Sequence, residues 1–243
     1  MPAVAKESRR RPLPCCWCNV RILALETTTE YCSVAVLADG VSYHRCELVG
    51  QRHSEVLIEM VDAVLAEAGL TLRQMDGLAF GKGPGSFAGV RIACGAAQGL
   101  ALGADLPVAG IVTLLALAEA CGHDRVIAAL DARMGEIYHA AYVRQQGGWQ
   151  TVCEPSLCQP QAAPDVAGEG WFGCGSGFAA HGEVLAARYA GRLCGMDAQT
   201  VPQAAAIARL AEQIFAAGAG IAAAQALPLY LRDKVALKTS ERV

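Results

Sequence analysis

The order of short apolar runs near the start of the chain constrains the fold more than any other feature of the sequence. Three such runs follow one another, and Asp39 and Gly40 separate the second from the third. An Asp-Gly pair between alternating runs is typical of a tight hairpin, because glycine readily adopts the positive φ that the turn requires. The pattern predicts a meander of three antiparallel strands at 22–25, 32–37 and 41–46.

Strands and helices alternate after this meander. The predicted elements are a helix from His53 to Ala68 that ends at Gly69, a strand at 78–80, a helix from Ser86 to Gly103, a strand at 107–111 and a helix at 113–120. Strands at 125–130 and 136–143 then begin a second unit, followed by a loop at 154–170 and alanine-rich helices at 179–190 and 203–226. This order predicts an α/β protein with two mixed sheets, each flanked by helices.

We divide the chain into three parts on this basis. Residues 1–20 are expected to be a disordered tail or to precede the true translation start, because prolines and Asn19 interrupt their apolar stretch. Residues 21–122 would form the first unit and residues 123–243 the second.

Composition narrows the class of protein. The chain is 53% hydrophobic, and its 20 basic and 23 acidic side chains give a net charge of -3. A protein that binds nucleic acid unaided usually carries clustered basic residues, so such a function is disfavoured. Charged and polar residues interrupt every apolar run before it reaches the roughly 18 residues of a membrane span. We therefore expect a soluble cytoplasmic protein without a membrane partner.

The cysteines and histidines do not form a recognisable metal motif. Eleven cysteines in a chain of this length indicate reduced thiols rather than a small disulfide scaffold. Cys15, Cys16 and Cys18 include one C-x-x-C spacing, but no second pair follows at the distance a zinc site needs. The five histidines include no H-x-x-x-H or H-E-x-x-H pattern. No metal and no cofactor are expected.

The glycine-rich loop 81–86 resembles a phosphate-binding loop only superficially. In a P-loop the lysine follows the last glycine, whereas Lys82 precedes both Gly83 and Gly85. A strand-to-helix turn with Ser86 as the N-cap explains the same residues.

Two carboxylates occupy corresponding places in the two predicted units. Glu26 ends the first strand of one unit, and Asp131 ends the first strand of the other. Such a pair could hold Mg²⁺ in a nucleotide cleft, and the hydroxyls of Thr27 and Thr28 could meet phosphate oxygens. An independent nucleotide hydrolase or kinase is therefore one hypothesis, although threonines also suit a strand end and no general base accompanies them.

Two helices have more apolar or small residues than an ordinary surface helix needs. Around the helix 53–68 the apolar residues cover an arc of roughly 160°, against about 100° for a surface helix. The helix 86–103 is rich in glycine and alanine, although each interior glycine costs up to about 1 kcal/mol. Close approach of a backbone would explain this, and that backbone could belong to the protein's own sheet or to another chain. Deep burial in its own domain and contact with a partner both remain open for the first helix.

Six segments of the chain resemble the signatures of the bacterial TsaB (YeaZ) family, in order, from about residue 21 to 237. They are Ile22–Thr29, Arg52–Leu57, Gly83–Ile92, Ala97–Ala101, Leu130–Tyr138 and Pro228–Arg232. The resemblance implies two subdomains of the actin-like ATPase, ribonuclease H-like kind. It also implies a role in making N6-threonylcarbamoyladenosine at position 37 of tRNA.

In that system the related TsaD protein is the transferase, and it uses a metal held by an H-x-x-x-H helix. The resemblance implies that the present chain is a non-catalytic dimerisation subunit for a TsaD-like protein, that the pair recruits a TsaE-like ATPase, and that tRNA is met only through the complex. Thr113 and Leu117 stand where the two histidines would be. The isolated chain is a candidate homodimer.

Family members make their dimer contacts through the first two helices, which correspond here to 53–68 and 86–103. We therefore expect the contact to be made by seven residues of these helices. They are Leu57, Ile58, Val61, Leu65, Gly89, Ile92 and Ala96. Glu26, Thr27, Thr28 and Asp131 would then be a vestigial nucleotide site.

Overall fold

The first half of the described chain forms a mixed five-stranded sheet. A computed structural model describes residues 20–232. The strands of this first sheet are β1 (Ile22–Glu26), β2 (Tyr31–Ala38), β3 (Val41–Leu48), β4 (Gly77–Gly83) and β5 (Val108–Val112). Their order is β3-β2-β1-β4-β5. The neighbours among β1, β2 and β3 are antiparallel, β4 is parallel to β1, and β5 is parallel to β4. The predicted meander is confirmed, and Asp39 and Gly40 both have the positive φ of the predicted turn.

The second half builds another sheet with the same connectivity. Its strands are β6 (Arg125–Arg133), β7 (Glu136–Gln145), β8 (Gly148–Cys158), β9 (Trp171–Cys174) and β10 (Leu193–Asp197). The order is β10-β9-β6-β7-β8, so an antiparallel meander is again followed by two parallel strands placed beside its first strand. The fold is therefore a duplication of one unit, and β1 and β6 are equivalent strands.

Within residues 20–232, five α-helices cover these sheets. They are α1 (His53–Glu67), α2 (Phe87–Ala104), α3 (Thr113–Cys121), α4 (Ser176–Arg188) and α5 (Ala204–Ala216). The α1 and α2 helices lie together on one face of the first sheet. The Ser86 hydroxyl caps α2 by accepting from the Gly89 backbone N–H, as its position before the helix predicts.

The α2 helix is mostly apolar. Among residues 20–232 it is the one helix whose length and composition would suffice to cross a membrane, although Arg91 and Gln98 interrupt it. Ala93, Ala97 and Ala101 are fully buried on the first sheet. It is thus an outer-layer helix with one face buried on the sheet.

The helices α3 and α5 are exchanged between the two units. After the first sheet, α3 packs Leu114 and Leu117 against the second sheet. After the second sheet, α5 returns and packs Ile207 and Phe215 against the far face of the first sheet. The division at residue 122 stays a prediction, but the packing of α3 and α5 does not follow it, because sequence order does not show which sheet an apolar helix will cover.

Two local predictions also differ from the structure. The predicted loop 154–170 begins with the end of β8, where Pro155 is tolerated because β8 is an edge strand. The predicted helix 203–226 ends at Ala216, and Gly218 follows with a positive φ. The short strands β9 and β10 were missed, since four or five residues carry little periodicity.

A single carboxylate connects the exchanged helices to the second sheet. Glu119 of α3 accepts hydrogen bonds from Arg144 of β7 at 2.8 Å, from the Trp149 ring of β8 at 2.8 Å and from Arg209 of α5 at 2.9 Å. Its side chain is only 10% exposed. Burial alone would raise the pKa of this carboxyl, but the three hydrogen bonds outweigh burial and hold the pKa below its usual value.

We expect Glu119→Ala to lower the free energy of unfolding by about 2 kcal/mol, because two arginines lose a largely buried acceptor. Urea unfolding at neutral pH measures the effect. The loss should shrink as the pH falls through the depressed pKa of Glu119, since the carboxylate is then neutral in both states of the wild-type protein. Glu67→Ala, which removes an exposed ion pair with Arg45, is the matched control and should cost little. Equal effects of the two substitutions would contradict the assignment.

Candidate functional site: the cleft and the outer faces of α1 and α2

The two units enclose a cleft of about 810 Å³. Its first wall comes from the loop after β1 and from the start of α2. Its second wall comes from the β6–β7 turn and the start of α4, where the Ser176 hydroxyl oxygen accepts a hydrogen bond from the Asp131 backbone N–H at 3.1 Å. The predicted residues Thr28 and Asp131 line this cleft from opposite units.

The loop after β1 is bonded directly to the start of α2. The Thr27 hydroxyl donates to the Gly89 carbonyl at 2.7 Å, and the Ser86 backbone N–H donates to the Thr28 carbonyl at 2.7 Å. A Cβ on Gly89 would overlap the Thr27 carbonyl oxygen. Gly89 is buried. The close approach that its small size permits is therefore to the chain's own backbone, not to a partner, which corrects the predicted contact role of Gly89.

Glu26 is fully enclosed at the end of β1. Its Oε1 accepts from the Thr28 backbone N–H at 2.6 Å, and its Oε2 has no hydrogen-bond partner among residues 20–232. Gly81 of β4 leaves the space that this carboxyl occupies. Burial raises the pKa of Glu26 to about 7, although hydrogen bonds from Thr28 and Thr27 oppose the shift.

Asp131 is engaged by its neighbour in the β6–β7 turn. One carboxylate oxygen accepts from the Arg133 backbone N–H at 2.9 Å, and the other lies 3.2 Å from the Arg133 guanidinium. The Arg133 side chain itself is 87% exposed at the rim of the cleft.

These residues do not fit a nucleotide with bound Mg²⁺. Such a site needs carboxylates that face the metal. Glu26 is not in the cleft wall, and Asp131 already has a cationic partner. Glu26 and Asp131 lie in equivalent strands of the duplicated fold, but only Asp131 reaches the cleft. The hydrolase or kinase hypothesis loses its main support.

The outer face of α1 differs from the predicted contact set. Leu57, Val61 and Leu65 belong to the core between α1 and the first sheet. Ile58 is 48% exposed. The wide apolar arc of this helix therefore reflects deep burial in its own unit, with Ile58 as the residue left at the surface.

The outer face of α2 carries an unpredicted line of glycines. Gly95, Gly99 and Gly103 follow at intervals of four residues, and a Cβ on any of them would meet no other atom of the described part of the chain. Leu102 beside them is 78% exposed. The predicted contact residues Ile92 and Ala96 are partly exposed on the same helix. The four-residue spacing was present in the sequence, but the buried alanines at 93, 97 and 101 repeat at the same interval, so spacing alone did not show which of the two faces is covered.

The two positions of α3 that correspond to the histidines of the catalytic relative are buried. The Thr113 hydroxyl accepts from the Gly83 backbone N–H at 3.2 Å, and Leu117 lies in the core of the second unit. No cluster of three or more potential metal ligands occurs between residues 20 and 232. Cys15, Cys16 and Cys18 lie outside this described part of the chain.

The duplicated mixed sheets, the cleft between them and the exchanged helices define a two-subdomain protein of the actin-like fold. Residues 45–239 match the model of the family described as TsaD, tRNA N6-adenosine threonylcarbamoyltransferase. The chain is 39% identical over 233 residues to the tRNA threonylcarbamoyladenosine biosynthesis protein TsaB of Haemophilus influenzae, covering 90% of this chain and 97% of the relative. It is 39% identical over 228 residues to the protein of the same name from Escherichia coli, with the same coverage.

A solved structure agrees with these relatives. The structure titled YeaZ from Pseudomonas aeruginosa superposes with a TM-score of 0.79 at 40% identity, covering 87% of this chain and 100% of that one. The chain therefore belongs to the TsaB (YeaZ) family, whose members share the TsaD type of domain.

Proposed function

We propose that this protein serves the formation of N6-threonylcarbamoyladenosine in tRNA as a non-catalytic subunit that docks a TsaD-type transferase. The names of the two curated relatives support the pathway. The match to the TsaD family model supports the partner, because a chain with the transferase's own type of domain is suited to pair with it.

The exposed glycine line of α2 is the observation that carries the docking role. Glycine in the middle of a helix costs up to about 1 kcal/mol relative to alanine. At Gly95, Gly99 and Gly103 no contact from residues 20–232 offsets that cost. A helix of another chain could approach this face closely, and burial of Leu102 and Ile58 would add apolar area at about 25 cal/mol per Å².

The arrangement of α3 supports a non-catalytic role. Thr113 and Leu117 are enclosed by the protein's own core and offer no ligand to a metal. In this proposal the chemistry belongs to the transferase, a TsaE-type ATPase joins the pair, and tRNA is met in the cytoplasm through the assembled complex. The net charge of -3 suits a subunit that leaves most phosphate contacts to another chain.

Substitution of the outer face tests the proposal. We expect Gly99→Leu and Ile58→Glu to leave a folded monomer and to abolish co-purification with the TsaD-type subunit, because the first blocks close approach and the second buries a charge. Threonylcarbamoyladenosine in cellular tRNA should fall with it, as measured by mass spectrometry of nucleosides.

Two substitutions on α4 provide matched controls. Val184 is exposed on α4, and a Cβ on Gly182 would meet no other atom of residues 20–232. Val184→Glu and Gly182→Leu should therefore keep the complex intact. Retention of the complex by both α1 and α2 variants would exclude this docking face. The molar mass of the isolated protein shows whether a second copy uses the same face.

A further inference from the structure

The last described residues, 226–232, cross from the first unit to the second along the cleft. We call this segment the strap. At its start, the Ala226 carbonyl accepts from the Gln98 side chain at 2.9 Å and from the Cys94 thiol at 3.5 Å, both on α2. Three residues later the Leu229 backbone N–H donates to the Lys82 carbonyl at 2.6 Å. This end of the strap is attached to the first unit alone.

The other end of the strap is attached to the second unit. The Arg232 guanidinium donates to the Ala132 carbonyl at 3.0 Å and lies 2.8 Å from the Glu136 carboxylate. Leu231 packs against the core of the second sheet. The Arg232 side chain is largely buried, so this ion pair is better shielded from water than the surface pairs of the chain.

The middle of the strap contacts the beginning of α2. The Arg91 guanidinium lies 3.3 Å from the centre of the Phe87 ring and 5.2 Å from that of Tyr230. The two rings are 6.2 Å apart. A cation between two rings favours a fixed position of Tyr230, in which the ring lies against the first wall of the cleft.

Arg232 is anchored on a turn with an unfavourable backbone. Arg133 and Met134 both have a positive φ, which non-glycine residues rarely adopt. Such a conformation persists only where surrounding contacts hold it. Arg232 supplies contacts on this turn, through the Ala132 carbonyl and through Met134 Sδ at 3.2 Å.

We infer that the strap is a clasp that holds the cleft at its present width. Each end is bonded to a different unit, and its residues 229–232 line the cleft itself. Release of either end therefore allows the two walls to separate. The clasp is a property of the isolated chain and does not depend on the docking partner.

Tyr138 reports on this opening. It lines the cleft and is 9% exposed, whereas Tyr142 and Tyr189 are buried elsewhere in the same unit. Hydroxyl-radical footprinting with mass spectrometry measures how readily water reaches each ring. We expect Arg232→Ala and Gln98→Ala each to raise the oxidation rate of Tyr138 several-fold while Tyr142 and Tyr189 keep the wild-type rate.

The two variants distinguish a strap that holds the two units together from a segment that only covers the cleft. Gln98 bonds the far end of the strap, so an effect of Arg232→Ala without an effect of Gln98→Ala would overturn the inference. An equal rise at all three tyrosines would also overturn it, because the strap would then stabilise the whole fold rather than the cleft. Arg45→Ala, which breaks an ion pair on the first sheet, is the control and should leave Tyr138 unchanged.

Discussion

Gly89→Ala is expected to lower the free energy of unfolding by about 4 kcal/mol, because the added methyl group has no space in the folded protein. The added Cβ would overlap the Thr27 carbonyl oxygen and crowd the Ser86 hydroxyl that caps α2. Backbone atoms cannot move aside as a flexible side chain can. The loop after β1 would have to separate from α2, and the hydrogen bond from Thr27 to Gly89 would be lost.

Gly95→Ala on the same helix should have the opposite effect. A Cβ at this position meets no other atom of the described chain, so the substitution should raise the free energy of unfolding by up to about 1 kcal/mol through helix propensity. Urea unfolding of both variants tests the pair. Similar stabilities would show that Gly89 is not held against the Thr27 backbone.

Glu26→Gln is expected to remove a pH dependence of about 3 kcal/mol from the free energy of unfolding. The pKa of Glu26 is raised from 4.5 to about 7 because burial disfavours its charged form. The unfolded chain ionises above pH 4.5, whereas the folded protein keeps the proton until about pH 7. In the wild-type protein the contribution of this carboxyl to the free energy of unfolding is therefore fully present below pH 4.5. It is lost as the pH rises through 7, and at higher pH the free energy of unfolding changes little from this source.

The difference in unfolding free energy between Glu26→Gln and the wild-type protein should accordingly grow in favour of the variant between pH 4.5 and 8. Urea unfolding at several pH values measures that difference, which cancels the titration of all other groups. Glu30→Gln makes the same chemical change at an exposed position four residues later and is the control. A difference for Glu26→Gln that does not vary with pH would mean that the Glu26 carboxyl is already hydrated in the folded protein.

Local signals in the sequence predicted most of the first unit. The β1–β2–β3 meander, the end of α1 at Gly69 and the Ser86 cap of α2 depend on residues within a few positions of one another, and the structure confirms each. The family signatures likewise pointed to the fold that the relatives and the solved structure support. Short-range patterns are sufficient where the determining contacts are themselves short-range.

The candidate site was harder to predict because its determinants are distant in sequence. Helical periodicity gave a wide apolar arc on α1 but could not show that Val61 faces the chain's own sheet while Ile58 faces outward. The position of Glu26 in β1 did not reveal that Gly81, 55 positions later, provides an enclosed space for its carboxyl. The return of α5 to the first sheet depends on an apolar face that strands distant in the sequence build together.

The exchange of α3 and α5 also governs the order in which the protein can be completed during synthesis. The far face of the first sheet, with Ile22 and Leu37 among its apolar residues, is covered by α5. A ribosome must therefore add residues through Ala216 before that face is shielded from water, although the sheet's own strands are finished by Val112. For roughly a hundred residues of translation the nascent chain carries an uncovered apolar surface, which is the kind of intermediate that chaperones bind.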